Sequence, residues 1–284
     1  MRLALFVLFS LVLLGVTRAQ DTAPARMGEI KAPADMGVLT GTVKFEGEAP
    51  EAFHFDLGAC KSDTPVCTGG KETMRASKRL RIDETSRGVG SVVVRLETLE
   101  GKAPAPSKPF PAKRRPTLDQ VACEFAPFVE WVEAGQSLRL KSSDSVMHNV
   151  HAYKNRTGGE TLFNVAMPRK DQILTKRMED PGVAVFGCDA GHLWMAAYVF
   201  VVESPYIEIT AHDGAFRMDE IPPGTYKVSF WQAGWQVTPG PANAATGKPS
   251  SYAYSEPLVQ VQTVEVKAGD NKCDVALTKE GWKK

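Results

Sequence analysis

The stretch Gly182–Ser204, GVAVFGCDAGHLWMAAYVFVVES, decides how this chain is read. Two apolar runs of strand length flank a short loop. β-Branched and aromatic residues fill both runs, which favours strands. The loop holds a thiol, an imidazole and a thioether: Cys188, His192 and Met195. Each has an ordinary core explanation when taken alone, since Met packs well and a buried Cys behaves as a small hydrophobe. Together, as soft donors on one loop, they predict one side of a metal site that selects copper.

A second imidazole must then come from elsewhere. DSVMHNVHAY, Asp144–Tyr153, offers His148 and His151. Side chains alternate along a strand, so His148 and Val150 share one face and Asn149 and His151 the other. His148 is the expected ligand. His151 is expected at the surface or in support of the site, and Asn149 is expected to tie the two ligand-bearing segments through its side chain.

Outward from this centre the pattern is all-β. GTVKFEGEAP opens it, and GSVVVRLETL, PFVEWVEAG, QSLRLKSSD and HNVHAYK follow as strand-like runs. The middle two meet at a glycine turn, read as a hairpin or a corner. After Pro205 come strand, Asp213-Gly214 turn, strand, Pro-Pro-Gly turn and strand, then two more strands in VQTVEVKAGDNKCDVAL. No stretch has a convincing helical period, and short strands at this spacing suggest sandwiches. GKAPAPSKPFPAKRRP, residues 101–116, carries five basic residues, no acidic one and too many prolines for a central strand.

The first 19 residues read as a signal peptide, with Arg2, an apolar run and small residues before Gln20. Residues 20–37 read as a flexible leader. The chain is therefore expected to be periplasmic or secreted. The net charge of +1, falling to about −1 once Arg2 and Arg18 leave with the signal peptide, demands neither nucleic acid nor an anionic membrane. No second apolar run could span a bilayer. There is no nucleophile elbow, phosphate loop or HExxH motif, so no enzyme is expected. His54 and His212 sit in polar turns and are expected at the surface.

The five cysteines are Cys60, Cys67, Cys123, Cys188 and Cys273. An odd count in an oxidising compartment leaves one over, and Cys188 has metal-ligand neighbours. The other four allow three pairings. Cys60 with Cys67, closing a small loop, and Cys123 with Cys273, tying two parts of the chain, are the expected ones.

The segments MHNVHAY, FNVAMP and CDAGHLWMAAYVFVVESPY resemble the cupredoxin domain, plastocyanin- or azurin-like, of exported bacterial proteins of the methylamine-utilisation-like kind. AHDGAFRMDEIPPGTYKVSFW resembles the carboxypeptidase regulatory-like β module that follows it. The resemblance implies a Greek-key β-sandwich at 38–204 and a smaller β-sandwich module at 205–284, with strand 38–46 able to pair with the module. It implies one copper ion held by His148, Cys188, His192 and Met195, and single-electron transfer to a redox partner protein. His192 would lie nearest solvent, and Leu193, Trp194 and Pro205 would line an apolar docking patch. The basic loop at 101–116 would steer an acidic partner. This chain departs from the family's Cys-x2-His spacing by one residue, Gly191, and has Leu193 where a proline is expected. A binuclear copper centre lacks the second loop cysteine it would need. The rival functions are copper storage or delivery, and a metal-free structural role in the cell envelope.

Overall fold

The computed structural model describes residues 35–58, 63–112 and 114–283. The signal-peptide segment, most of the leader and Cys60 lie outside the described residues. The chain opens with β1 (Gly37–Phe45), then a cap segment of β2 (His54–Asp56), the short helix α1 (Thr64–Thr68) and β3 (Met74–Ala76). Strands β4 (Arg81–Ile82), β5 (Val89–Gly90) and β6 (Val93–Glu97) lead into the Pro-rich loop. Nine strands follow: β7 (Thr117–Val121), β8 (Glu124–Ala126), β9 (Val129–Glu133), β10 (Ser137–Ser142), β11 (His148–Lys154), β12 (Thr161–Met167), β13 (Gln172–Arg177), β14 (Gly182–Gly187) and β15 (Ala196–Val202). The last nine are β16 (Ile207–Ile209), β17 (Ala215–Ile221), β18 (Gly224–Gln232), β19 (Val237–Pro239), β20 (Tyr252–Tyr254), β21 (Leu258–Val266), β22 (Gly269–Lys272), β23 (Val275–Thr278) and β24 (Gly281–Trp282).

The fold is all-β, as the patterning predicts, and consists of two sandwiches. In the first, a sheet ordered β12-β11-β14-β15-β9 faces one ordered β13-β10-β7-β8. Leu118, Leu138 and Leu140 from one sheet meet Val150, Ala184, Phe186 and Val199 from the other in one core. β9 and β10 lie in different sheets, so the glycine turn between them is a corner and not a hairpin. In the second sandwich, β17-β1-β23-β24 faces β16-β6-β18-β21 around Leu39, Phe45, Val94, Phe216 and Phe230. β1 lies antiparallel to β17 and parallel to β22 and β23, which ties the start of the described chain to its end. The Asp213-Gly214 turn also changes sheets, from β16 to β17. Gly214 has φ +81, and a Cβ there would meet the Val43 carbonyl oxygen at 2.1 Å. Only glycine fits that approach.

A third apolar cluster joins the sandwiches. It explains why β15 reads as an unbroken apolar run. Ala197, Val199 and Val201 face the first core, while Tyr198, Phe200 and Val202 pack against Val93, Ile207 and Trp231 of the second sandwich. A strand buried on both faces needs no polar alternation. Arg79 sits at this junction with a buried guanidinium. Its Nε donates to the Gly234 carbonyl at 2.6 Å, its Nη2 donates to the Tyr198 hydroxyl, and its plane lies 3.8 Å above the Tyr254 ring. Hydrogen bonds and π faces compensate its buried charge.

The disulfide pairing differs from expectation. Cys67 of α1 is bonded to Cys123 in the turn between β7 and β8. Cys273 is a free, buried thiol in the second core, with its Sγ 3.4 Å from Gln262 Oε1. Cys123 therefore ties the cap segment to the first sandwich and does not reach Cys273, which lies between β22 and β23 in the other core. Burial pushes the Cys273 thiol up to about 11, which makes it inert. Among the described helices, none is long and apolar enough to cross a membrane.

Candidate metal centre

The register of three strands assembles the site. β11 pairs with β14 so that His151 lies opposite Gly187. The next residue, Cys188, then leaves the sheet beside Asn149 and His148. The Asn149 backbone N–H donates to Cys188 Sγ at 3.4 Å. Asn149 thus joins the two ligand-bearing segments through its backbone, while its side-chain Oδ1 is buried without a partner, contrary to the expected side-chain link. Alternation along β11 turns His148, Val150 and Ala152 inward.

Cys188 Sγ lies 3.9 Å from His148 Nδ1 and 3.6 Å from His192 Nδ1. The two imidazole rings are 4.7 Å apart. The three donor atoms lie within 4.8 Å of one another, and all three residues are buried. Met195 is also buried in the first core, and its N–H donates to the His192 carbonyl at 2.9 Å, closing the loop before β15 begins. Gly191 adopts φ +94. Glycine takes that left-handed step readily, and His192 beyond it faces Cys188.

Asp144 governs His148. Its Oδ2 lies 2.8 Å from His148 Nε2, so the carboxylate holds the proton on that nitrogen and leaves Nδ1 facing the thiol. The same carboxylate accepts the backbone N–H groups of Ala122 at 2.7 Å and Cys123 at 2.8 Å. Those two residues form the β7–β8 turn with φ +50 and +56, a conformation that ordinarily calls for Asn or Gly. One buried carboxylate therefore fixes both a left-handed turn and a ligand tautomer. The sequence gives little warning of it, because Asp144 sits in a polar turn four residues before the histidine.

The electrostatics favour a thiolate. Burial alone would raise the Cys188 thiol, but hydrogen bonds from His148 and His192 and from the Asn149 and Ala190 backbone outweigh it and bring it to about 6. Burial alone would lower His148, but its bonds to Asp144 and Cys188 raise it to about 9. Both shifts run in the direction that favours a thiolate beside a protonated imidazole. A soft cation would replace that proton.

The surroundings differ from the expected exposed edge. His192 is 0% exposed. The cap segment lies over it: its ring contacts Trp194, its Nε2 is 3.4 Å from Asp63 Oδ2, and the Cys67 and Cys123 sulfurs lie beside it. Trp194 is buried and its indole N–H donates to the Cys123 carbonyl at 2.8 Å. Pro205 is buried as well, so neither residue forms a docking patch. In the basic loop, Lys108 Nζ donates to the Asp219 carbonyl at 2.6 Å, and Arg114 lies 3.7 Å above the Trp131 ring and pairs with Glu130. These cations are engaged within the chain.

His151 faces the other side, as alternation requires. Its Nδ1 lies 2.7 Å from Asp189 Oδ2 and its ring stacks 3.8 Å from Tyr153. It supports the residue that follows Cys188. His54 and His212 are exposed.

No family model matches this chain, and no curated protein matches it. Solved structures do. A purple cupredoxin from Nitrosopumilus maritimus is 20% identical, and the match covers 31% of this chain and 99% of that one at a TM-score of 0.27. A reduced Cu(I) form of an amicyanin variant is 20% identical over 32% of this chain and 86% of that one, at 0.28. A copper-containing nitrite reductase from Thermus scotoductus is 18% identical over 34% of this chain and 26% of that one, also at 0.28.

Proposed function

We propose that this chain is an exported protein that holds one copper ion through His148, Cys188 and His192, with Met195 as a weaker fourth donor, and passes single electrons to a redox partner protein. The observation that carries the reading is the buried trio, two imidazole Nδ1 atoms facing one thiolate. Two imidazoles and a thiolate, with a thioether on the same loop, suit copper better than a hard cation. Copper bound there supplies a one-electron couple between Cu(I) and Cu(II).

The chain's own residues do the rest. Asp144 holds His148 in the ligating tautomer. The Asn149 and Ala190 N–H groups stabilise the thiolate. Pairing of β11 with β14 within one sheet holds the segments bearing His148 and Cys188 in register, which limits rearrangement between two charge states. The cap segment keeps water from His192, so a partner acts across that segment. Complete burial of both imidazoles favours a retained ion over an exchangeable one, which speaks against storage or delivery.

Export is supported by the pattern of residues 1–19 and by the Cys67–Cys123 disulfide, which persists in an oxidising compartment. We read residues 38–204 as the copper domain and 205–284 as its appended module, with β1 and β6 contributed to the module's sheets. The module's likeness to the carboxypeptidase regulatory-like kind rests on the stretch at 211–231.

The test is addition of Cu(II) to the purified mature chain and to Cys188→Ser, followed by visible absorption and EPR. An intense thiolate-to-copper band at one equivalent, absent from the variant, supports the assignment. Uptake that the substitution leaves unchanged would defeat it.

A further inference from the structure

The disulfide that ties the cap to the β7–β8 turn lies beside His192. Cys67 Sγ, Cys123 Sγ and an imidazole nitrogen of His192 lie within 4.8 Å of one another, and all three residues are buried. Cys123 Sγ also comes within that distance of donor atoms of Asp144 and His148. While the disulfide is closed, its sulfurs are neutral and poor ligands. Reduction lets the two sulfurs move apart from their bonded separation, and as thiolates on the same two segments they would be soft donors.

We propose that reduction of the Cys67–Cys123 disulfide creates a second metal site, Cys67–Cys123–His192, for a thiophilic cation such as Cu(I) or Zn(II). A dithiol or phosphine reductant delivers two electrons to the S–S bond, two protons complete the thiols, and the reductant is oxidised in turn. Binding of the cation then forms two metal–sulfur bonds and releases the two protons.

The trio holds its place by contacts other than the S–S bond. Arg75 Nη1 donates to the Ala122 carbonyl at 2.7 Å, and its Nη2 donates to the Cys67 carbonyl, so one guanidinium bridges the two cysteine-bearing segments. The Trp194 indole N–H holds the Cys123 carbonyl, and the Asp144 carboxylate holds the Cys123 N–H. Phe55 and Leu57 anchor the cap in the first core. The thiols are therefore kept beside His192 after reduction. His192 belongs to both donor sets, and its Nδ1 faces Cys188 Sγ at 3.6 Å.

This inference stands apart from the copper assignment, and its test is made in the full-length mature Cys188→Ser chain, where the first site lacks its thiolate. Oxidised and reduced samples, freed of reductant by gel filtration without oxygen, are titrated with Zn(II) against a chromophoric chelator. The reduced chain is expected to take up one equivalent that the oxidised chain does not. Cys67→Ser with Cys123→Ser abolishes that equivalent, which also excludes Cys60 and Cys273 as its source. His192→Ala weakens it by at least the ~10- to 100-fold that loss of an outer-sphere partner costs a metal site. Equal uptake by oxidised and reduced chains overturns the proposal. So does reduction-dependent uptake that His192→Ala leaves unchanged, which is also the result if the reduced chain has unfolded and offers only loose thiols; circular dichroism identifies that case.

Discussion

Asp144→Asn tests the reasoning at its most interdependent point. The carboxylate accepts three hydrogen bonds, from His148 Nε2 and from the Ala122 and Cys123 N–H groups. Burial pushes its pKa up, yet these donors hold it below the usual carboxylate range. Asparagine keeps one acceptor and presents an NH2 group where the other oxygen stood. If the NH2 meets the turn, a buried donor opposes a donor. If it replaces Oδ2, it opposes the Cys123 N–H and also meets His148, whose Nε2 must accept, and the ring proton moves to Nδ1, the atom that faces Cys188. Hydrogen bonds to charged groups contribute ~1.5–3 kcal/mol each, so loss of one to two of them costs the metal-free fold about 1.5–6 kcal/mol. Copper affinity falls ~10- to 100-fold, as for other outer-sphere partners of metal-binding histidines. Urea unfolding of the metal-free chain reads the first effect, and Cu(II) competition titration reads the second. A variant of unchanged copper affinity and unchanged stability would refute the role assigned to Asp144.

Three further predictions concern the frame. Arg79→Ala strands the Gly234 carbonyl and the Tyr198 hydroxyl and removes the stack on Tyr254, so denaturant unfolding should show a loss of about 3–5 kcal/mol, with a loss below 1 kcal/mol arguing against the rivet. Gly191→Ala has room for its Cβ, so only the backbone at φ +94 is strained; a cost of about 1–2 kcal/mol is expected, with one copper still bound, and loss of copper would contradict the view that Gly191 serves only the backbone path of the loop. Burial pushes Glu208 up from 4.5 to about 7, against the pull of Lys108 and Arg114. The folded state then binds more protons than the unfolded state across that window, so stability falls as pH rises from about 4.5 to about 7, by at most ~3 kcal/mol. Glu208→Gln should flatten this part of the stability–pH profile, and an unchanged slope would exclude Glu208 as its source.

Much of this architecture was legible because its signals are local. Alternation along HNVHAYK put His148 inward and His151 outward, and the structure places them so. The loop from Cys188 to Met195 announced soft donors by composition. What stayed hidden depends on distance along the chain or on a broken local rule. Nothing in α1 marks Cys67 as the partner of Cys123, 56 residues away. The β7–β8 turn, Ala122-Cys123, lacks the Asn-Gly chemistry of its backbone because Asp144 supplies the compensation from another segment. The exposed His192 implied by the resemblance failed for the same reason: the cap that covers it comes from residues before β4, and no pattern near the ligand loop could reveal it. The turns at Gly135 and Gly214 were visible as turns, but whether the next strand stays in the sheet depends on the partners it finds.

The central claim is that one copper ion sits among two imidazoles and one thiolate. Copper X-ray absorption on the chain loaded with one equivalent tests it most directly. The account predicts a single short copper–sulfur contact together with two imidazole scattering patterns, and loss of the sulfur contact in Cys188→Ser. A first shell of oxygen and nitrogen alone, unaltered by that substitution, would contradict it.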